Sequence, residues 1–177
     1  LFIQQVCRAI GKQELLQGIH FKPAGSASKV VSTAILTDAA TDLPVIALLD
    51  ADDQGKAARE RLTKFDWSTK EQVLTLSAWP GACRRHPVEI EDLLPQRAVD
   101  AIVRRMGEEE AVDSTRRCGS TVHRELTKSW KERAIRELPR YLPSSDPGGV
   151  EWLLGEIRRR GERMQVNAQR AAEFRSA

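Results

Sequence analysis

VIALLDADDQGK, residues 45–56, is the stretch that decides the fold of this chain. Its first five residues are apolar without alternation, a pattern typical of a parallel strand buried on both faces. The run ends at acidic residues, and Gly55 opens a helical pattern from Lys56 to Lys64. The stretch therefore predicts a buried strand over 45–50 followed by a helix, which is the repeating unit of an α/β fold.

Two carboxylates follow the predicted strand. If the chain stays extended from Asp50 to Asp52, the two-residue period of a strand puts both side chains on the same side. Open α/β sheets place their ligands at the carboxyl ends of strands. Two close carboxylates repel one another unless a cation lies between them, and Mg²⁺ suits such a pair. The alternative is that these acids cap the following helix, a role that fits Asp53 in particular.

The surrounding elements extend this pattern over the first hundred residues. Apolar spacing predicts helices over 1–10, 28–36 and 56–65, and strands over 19–22 and 72–78. With the strand at 45–50, this order predicts a parallel sheet with helices on its faces. The loop 79–87 that follows contains Arg84 and Arg85, which either face water or contact phosphates.

The last third of the chain is predicted to be helical. An amphipathic helix is expected over 96–106, a polar, mobile connection over 107–120, and helices over 121–138 and 150–174. The prolines and glycines of 143–149 predict a loop. The chain is therefore divided into a sheet domain (1–106), a connection (107–120) and a C-terminal helical subdomain (121–177).

Composition limits the class of protein. The chain has 177 residues, 41% of them hydrophobic, and no apolar run approaches the ~20 residues of a membrane span. Its three cysteines, Cys7, Cys83 and Cys118, predict neither a disulfide framework nor a zinc site, so a reducing cytoplasm is expected. The net charge of +3 is uneven: residues 101–177 carry 16 basic and 12 acidic side chains, a weak indication of an anion-binding surface.

A second acidic stretch, VEIEDLLP, occupies residues 88–95. Its alternation predicts an extended segment with Glu89 and Glu91 on one face. The first motif, with Asp50, Asp52 and Gly55, resembles the Asp-x-Asp-x-x-Gly element of Toprim domains. The two motifs in this order resemble the Toprim domain of the OLD-family (overcoming lysogenization defect) nucleases, over about residues 1–100.

The resemblance implies a Toprim-like parallel sheet and a metal-dependent DNA endonuclease or nickase. Two Mg²⁺ or Mn²⁺ ions would be held by Asp50, Asp52 and Glu91, with Glu89 beside them. One ion would stabilise the leaving oxygen and the other would position the attacking water. In that family a lysine from the C-terminal helices reaches the metal site. The candidates for this role are Lys128 and Lys131, the only lysines after residue 100. The alternative is that both are surface residues.

The resemblance also implies partners. DNA backbone contacts are expected from Arg84, Arg85, Arg158 and Arg159, which otherwise face water. The family carries an N-terminal ABC-type ATPase domain, through which it forms homodimers. That domain is expected upstream of Leu1, since no P-loop motif occurs in this chain. The glutamate that ends the first Toprim strand is also expected there, because its position would lie immediately before Leu1.

Other functions remain open at this point. One is a non-catalytic Toprim scaffold that binds metal or a partner. Topoisomerase- or primase-like activity is another, but the single tyrosine, Tyr141, lies outside the predicted sheet. Response-regulator-like and sugar-phosphate α/β domains also place acids at strand ends, but they do not explain residues 90–95.

Overall fold

The computed structural model of the chain describes residues 2–83, 85–118, 121–137, 140–142 and 148–176. Its elements are helices and short strands, so the fold is mixed α/β. The helices α1 to α7 span Phe2–Ala9, Ala27–Asp38, Asp53–Thr63, Gln96–Met106, Glu108–Ala111, Lys128–Glu137 and Gly149–Ser176. The strands β1 to β4 span Ala47–Leu49, Val73–Thr75, Val112–Cys118 and Thr121–Leu126. Three short 3-10 helices span Gln13–Leu16, Leu76–Ala78 and Ile90–Leu93.

The chain divides into two compact units. The first contains Leu1–Phe21 and Cys83–Trp152, and the second contains Lys22–Ala82 and Leu153–Ala177. Helix α7 starts within the first unit and lies mostly in the second. The predicted connection over 107–120 falls inside the first unit, so it does not separate the two units.

The second unit is built on the predicted strand–helix–strand pattern. Strands β1 and β2 pair in parallel, with Ala47 opposite Val73 and Leu49 opposite Thr75. Helix α3 connects the strands. The core beneath them consists of buried apolar side chains, which are Val31, Ala34, Ala47, Leu49, Ala58, Leu62, Trp67 and Val73. The strand predicted over 45–50 is therefore confirmed over Ala47–Leu49, with Leu48 half-buried rather than buried.

The predicted sheet is larger than the observed one. Within the described residues, the parallel sheet has two strands, and residues 19–22 form none. A segment of four residues with alternating polarity is a weak signal, because so short a segment forms a strand only when a neighbouring strand pairs with it. The strand predicted over 72–78 ends at Thr75, where a 3-10 helix begins.

The first unit combines helices with an antiparallel hairpin. Helix α4 has the predicted bounds and buries Ala98, Val99, Ile102 and Val103 on one face. Strands β3 and β4 pair from Val112 and Leu126 to Cys118 and Thr121. Nη1 of Arg124 on β4 lies 2.5 Å from Oδ1 of Asp100 on α4, which ties the hairpin to the helix.

Two predictions for this region are wrong. Residues 107–118 form a short helix and a strand rather than a mobile connection, and residues 121–126 form a strand rather than the start of a helix. Helix α6 begins only at Lys128, where the hydroxyl of Thr127 accepts a hydrogen bond from the Trp130 N–H at 3.3 Å. Trp130 is fully buried.

The final helix is confirmed: α7 spans Gly149–Ser176 where 150–174 was predicted. The loop predicted over 143–149 lies mostly outside the described residues. Among the helices of the described chain, none combines the length and the apolar character needed to cross a membrane.

Candidate active site

The strand-end motif, defined as Asp50, Asp52 and Gly55, joins β1 to α3. Asp52 has an extended backbone, with φ −79° and ψ −179°, and it is the N-cap of α3. Its Oδ1 accepts a hydrogen bond from the Gly55 N–H at 2.6 Å. A carboxylate offers about four lone-pair sites, so this bond leaves Asp52 able to bind a cation as well. Asp50 is exposed at the end of the strand.

Gly55 is required by packing rather than by an unusual backbone angle. A Cβ atom at this position would lie 2.0 Å from the Asp50 carbonyl oxygen and 3.2 Å from Oδ1 of Asp52. Only glycine lets the first turn of α3 approach the end of β1 this closely. The spacing Asp-x-Asp-x-x-Gly thus has a local physical cause, which is the tight passage from strand to helix.

The helix-capping alternative applies to a different aspartate from the one expected. Asp52 caps the helix, whereas Asp53 lies in its first turn and is exposed. Nζ of Lys56 donates a hydrogen bond to Oδ1 of Asp53 at 2.7 Å, and this contact lowers the pKa of Asp53. Asp53 is therefore a surface residue paired with Lys56.

The second acidic stretch folds into a turn. Val88 is buried, Glu89 is extended, and a 3-10 helix follows over Ile90–Leu93. The Glu89 N–H donates to Oδ2 of Asp92 at 2.9 Å, which holds the start of this turn. The predicted extended segment is therefore wrong beyond Glu89, because local hydrogen bonds close the chain into a 3-10 turn.

The Glu–Lys cluster, defined as Glu89, Glu91 and Lys131, brings together residues predicted to share a site. Nζ of Lys131 on α6 lies 3.0 Å from Oε2 of Glu89 and 3.3 Å from Oε1 of Glu91. Glu91 is buried, with 8% of its surface exposed, and Glu89 is half-buried. Both glutamates thus face the same ammonium group.

The electrostatics of this cluster favour a charged lysine. Burial acts to lower the pKa of Lys131, but the charges of Glu91 and Glu89 and the hydrogen bonds to them raise it. Lys128, one turn earlier on α6, is exposed. Of the two lysines predicted as candidates, Lys131 is therefore the one that meets the predicted acids.

The predicted DNA-binding arginines have different environments. Arg84 lies outside the described residues, and Arg85 is exposed. Arg158 is half-buried, whereas Arg159 is exposed and forms an ion pair with Glu156. Arg160, the next residue along α7, is buried and donates to the Val73 carbonyl at 2.9 Å.

Sequence reasoning missed two groups. One is the exposed pair Arg116 and Arg117 on β3, which was assigned to a polar connection. The other is a disulfide between Cys83 and Cys118, with His86 beside it. The prediction that the cysteines form no disulfide is wrong for Cys83 and Cys118, and His86, which follows Cys83 by three residues, was overlooked. A disulfide also removes the cysteine argument for a reducing compartment.

The strand-end motif belongs to the second unit, and the Glu–Lys cluster belongs to the first. Each is therefore characterised by its own local geometry. Comparisons of the chain with protein-family models, with curated proteins and with solved structures gave no match.

Proposed function

We propose that this chain is a Toprim-like, Mg²⁺- or Mn²⁺-dependent phosphodiesterase that cleaves DNA. The observation that carries the proposal is the Glu–Lys cluster, in which Lys131 lies 3.0 Å from Glu89 and 3.3 Å from Glu91. The family resemblance implied the acids and, separately, a lysine for which Lys128 and Lys131 were the two candidates, and about forty residues separate the acids from Lys131. Their contact is the arrangement that a phosphate-cleaving site with a basic residue beside its metal ligands requires.

The donor set fits the proposed metal. Each of the two groups offers carboxylate oxygens, the ligands that Mg²⁺ and Mn²⁺ prefer: Asp50 and Asp52 in the strand-end motif, and Glu89 and Glu91 in the Glu–Lys cluster. In the Glu–Lys cluster, two carboxylates lie beside one ammonium group. When bound, such ions polarise a phosphoryl oxygen and lower the pKa of coordinated water.

Lys131 has two roles in the proposal. Its ion pairs hold the Glu89 and Glu91 side chains in fixed orientations. Its ammonium group also offers three donors, and a phosphate that reaches the cluster would take one of them. A fixed positive charge there stabilises the charge that builds up on the phosphoryl oxygens during displacement.

The backbone of DNA would be held by exposed arginines. Arg85 precedes the acidic turn, and Arg116 and Arg117 are both exposed on β3. Arg159 is already paired with Glu156 and so contributes less. Contacts of this kind are independent of sequence and weaken with salt, which suits a nuclease that reads backbone rather than bases.

The test is a plasmid-cleavage assay on the full chain. Supercoiled plasmid is incubated with Mg²⁺, Mn²⁺ or EDTA and with the variants Asp52→Asn, Glu91→Gln and Lys131→Met. Nicking is expected only with metal, and each variant should slow it by about a hundredfold or more. Asp53→Asn is the matched control, since Asp53 is an exposed neighbour paired with Lys56.

Two results would contradict the proposal. One is cleavage that persists in EDTA, and the other is wild-type cleavage by Asp52→Asn and Glu91→Gln together. If the wild-type chain binds Mn²⁺ in calorimetry but does not cleave, the second candidate function is supported instead. That candidate is a non-catalytic Toprim scaffold, and the observation that favours it is that Lys131 already partners both glutamates.

A further inference from the structure

The cysteine–histidine cluster, defined as Cys83, His86 and Cys118, offers sulfur and imidazole donors rather than the carboxylate oxygens of the groups described above. Cys83 and His86 come from the loop after β2, and Cys118 ends β3. Sγ of Cys83 lies 3.3 Å from Nδ1 of His86. The two sulfurs and one nitrogen all lie within 4.8 Å of one another. Two separate segments of the chain thus bring three potential metal-binding atoms close together.

A disulfide alone does not account for this arrangement. The bond joins Cys83 to Cys118 and needs no imidazole, yet the His86 ring contacts Cys83. The backbone N–H of Arg85 also points at the Cys83 sulfur, at 3.4 Å. An N–H group directed at sulfur stabilises a thiolate, the form in which cysteine binds metal. The cluster therefore has features that serve the reduced state.

We propose that, once the disulfide is reduced, Cys83, His86 and Cys118 bind one Zn²⁺ ion. Thiolate and imidazole are the donors that Zn²⁺ prefers over Mg²⁺. The spacing Cys-x-x-His of residues 83–86 lets one loop supply two of them. A fourth position of the tetrahedron is left for water or another donor, as in zinc sites with three protein ligands.

The distances are close to those that zinc requires. With Zn–S bonds of about 2.3 Å and a Zn–N bond of about 2.0 Å, a tetrahedral ion holds sulfur and nitrogen ~3.5 Å apart and two sulfurs ~3.8 Å apart. The observed sulfur–nitrogen distance between Cys83 and His86 is 3.3 Å. The Cα atoms of Cys83 and Cys118 are 6.8 Å apart, at the upper end of the disulfide range. Side-chain rotation is therefore enough to separate the reduced sulfurs.

Charge and exposure are also suitable. Two thiolates and a neutral imidazole balance the charge of Zn²⁺. Arg85 and Arg117, which neighbour the cluster in sequence, are exposed cations that favour the thiolate form. All three ligand residues are half-buried, so metal and oxidant both reach them.

The disulfide and zinc forms interconvert by a balanced reaction. With a peroxide as oxidant, the two thiolates each lose one electron and form the S–S bond. When the oxidant is hydrogen peroxide, its O–O bond breaks, and the two oxygens accept the two electrons and two protons from solvent to give two water molecules, while the ion is released. A phosphine or dithiol reductant reverses the cysteine chemistry and restores the site.

The experiment uses the full chain reduced with a phosphine and titrated with Co²⁺, then Zn²⁺. One Co²⁺ per chain should bind, with thiolate-to-cobalt charge-transfer absorbance and tetrahedral visible bands, and Zn²⁺ should displace it. Cys83→Ser, Cys118→Ser and His86→Ala should each weaken binding by more than about tenfold. Cys7→Ala is the matched control, since Cys7 is buried in α1.

Peroxide then tests the link to oxidation. It should abolish the absorbance and release one metal ion for every two thiols lost. The proposal is overturned if the reduced wild-type chain gives no charge-transfer band at one ion per chain. It is also overturned if His86→Ala binds as tightly as the wild type, or if the oxidised chain keeps its metal. None of these measurements depends on DNA cleavage, so the proposal stands or fails separately from the nuclease.

Discussion

Nζ of Lys131 lies 3.0 Å from Oε2 of Glu89, although 42 residues separate them along the chain. The same ammonium is 3.3 Å from Oε1 of Glu91. This double contact fixes helix α6 against the acidic turn that precedes α4. It also places a cation beside two carboxylates, one of which is buried.

Replacing Lys131 with Met should lower the free energy of unfolding by about 1–3 kcal/mol, because Glu91 then keeps a buried charge without this cation. The loss is smaller than the ~3–5 kcal/mol of a fully buried pair, since 34% of the Lys131 side chain is exposed. Urea unfolding followed by circular dichroism measures it. Lys128→Met on the same helix should change stability by less than about 0.5 kcal/mol. Equal losses in the two variants would contradict the assignment.

The same contact predicts a pH dependence. The pKa of Lys131 is raised in the folded chain, so the ion pair stabilises fully below the unfolded pKa of about 10.4. That stabilisation is lost as the pH rises through the higher folded pKa. The stability difference between wild type and Lys131→Met should therefore be constant between about pH 7 and 9 and shrink above about pH 10.5. A difference that stays constant through this alkaline range would contradict a contribution from the Lys131 charge.

Replacing Gly55 with Ala should destabilise the second unit. The new Cβ would lie 2.0 Å from the Asp50 carbonyl oxygen, so the strand end or the helix must move, at a cost of about 1–3 kcal/mol. Gly155→Ala is the control, because a Cβ there meets no atom within 4 Å. That variant should gain about 0.5–1 kcal/mol from helix propensity. Thermal unfolding compares them, and a stable Gly55→Ala variant would show that the strand-to-helix passage tolerates a side chain.

Local features of the sequence predicted much of the fold. The apolar run before Asp50 and the glycine after it are short-range signals, so the parallel pair β1 and β2 and the helix between them were expected. Helix α4 has the predicted bounds because its buried residues recur at helical spacing. The hairpin was missed because β3 is polar and mostly exposed, so it lacks alternating apolar residues. Its available signal was Gly119-Ser120, a dipeptide that favours a two-residue hairpin loop.

The candidate sites depend on contacts between distant residues, which local patterns do not contain. Spacing identified Asp50 and Asp52 as a pair, but only the family resemblance singled out Lys131, and it did not separate Lys131 from Lys128. The pairing of Cys83 with Cys118 spans 35 residues and depends on the hairpin that the sequence failed to predict. The motif Cys-x-x-His at 83–86 was the one local signal of that cluster.

Arg160 should be a structural residue rather than a DNA contact. It is buried, donates to Oε1 of Glu156 at 2.6 Å, and donates to the Val73 carbonyl of β2 at 2.9 Å. Arg160→Met should therefore lower the free energy of unfolding by about 2–4 kcal/mol. Arg159→Met, which removes an exposed partner of Glu156, should cost less than about 1 kcal/mol. Chemical denaturation distinguishes them, and an equal cost would contradict the buried role of Arg160.

Asp52 offers a way to separate its capping role from its proposed metal-binding role. Its Oδ1 accepts the Gly55 N–H at 2.6 Å, and asparagine caps helices about as well as aspartate. Asp52→Asn should therefore keep the free energy of unfolding within about 0.5 kcal/mol of wild type, whereas Asp52→Ala should lose about 1 kcal/mol. Both variants lack the carboxylate, so both should lose Mn²⁺ binding in calorimetry.

The comparison of the two variants decides what the carboxylate does. If Asp52→Asn is as stable as the wild type but does not bind Mn²⁺, the negative charge of Asp52 is needed for metal binding and its side-chain oxygen is needed for the helix cap. If Asp52→Asn binds Mn²⁺ as the wild type does, the carboxylate is a helix cap alone. Asp53→Asn provides the baseline for removing one negative charge from the same turn, because Asp53 is exposed and contacts Lys56. A loss of Mn²⁺ binding in Asp53→Asn as large as in Asp52→Asn would show that the turn attracts cations only through its summed charge.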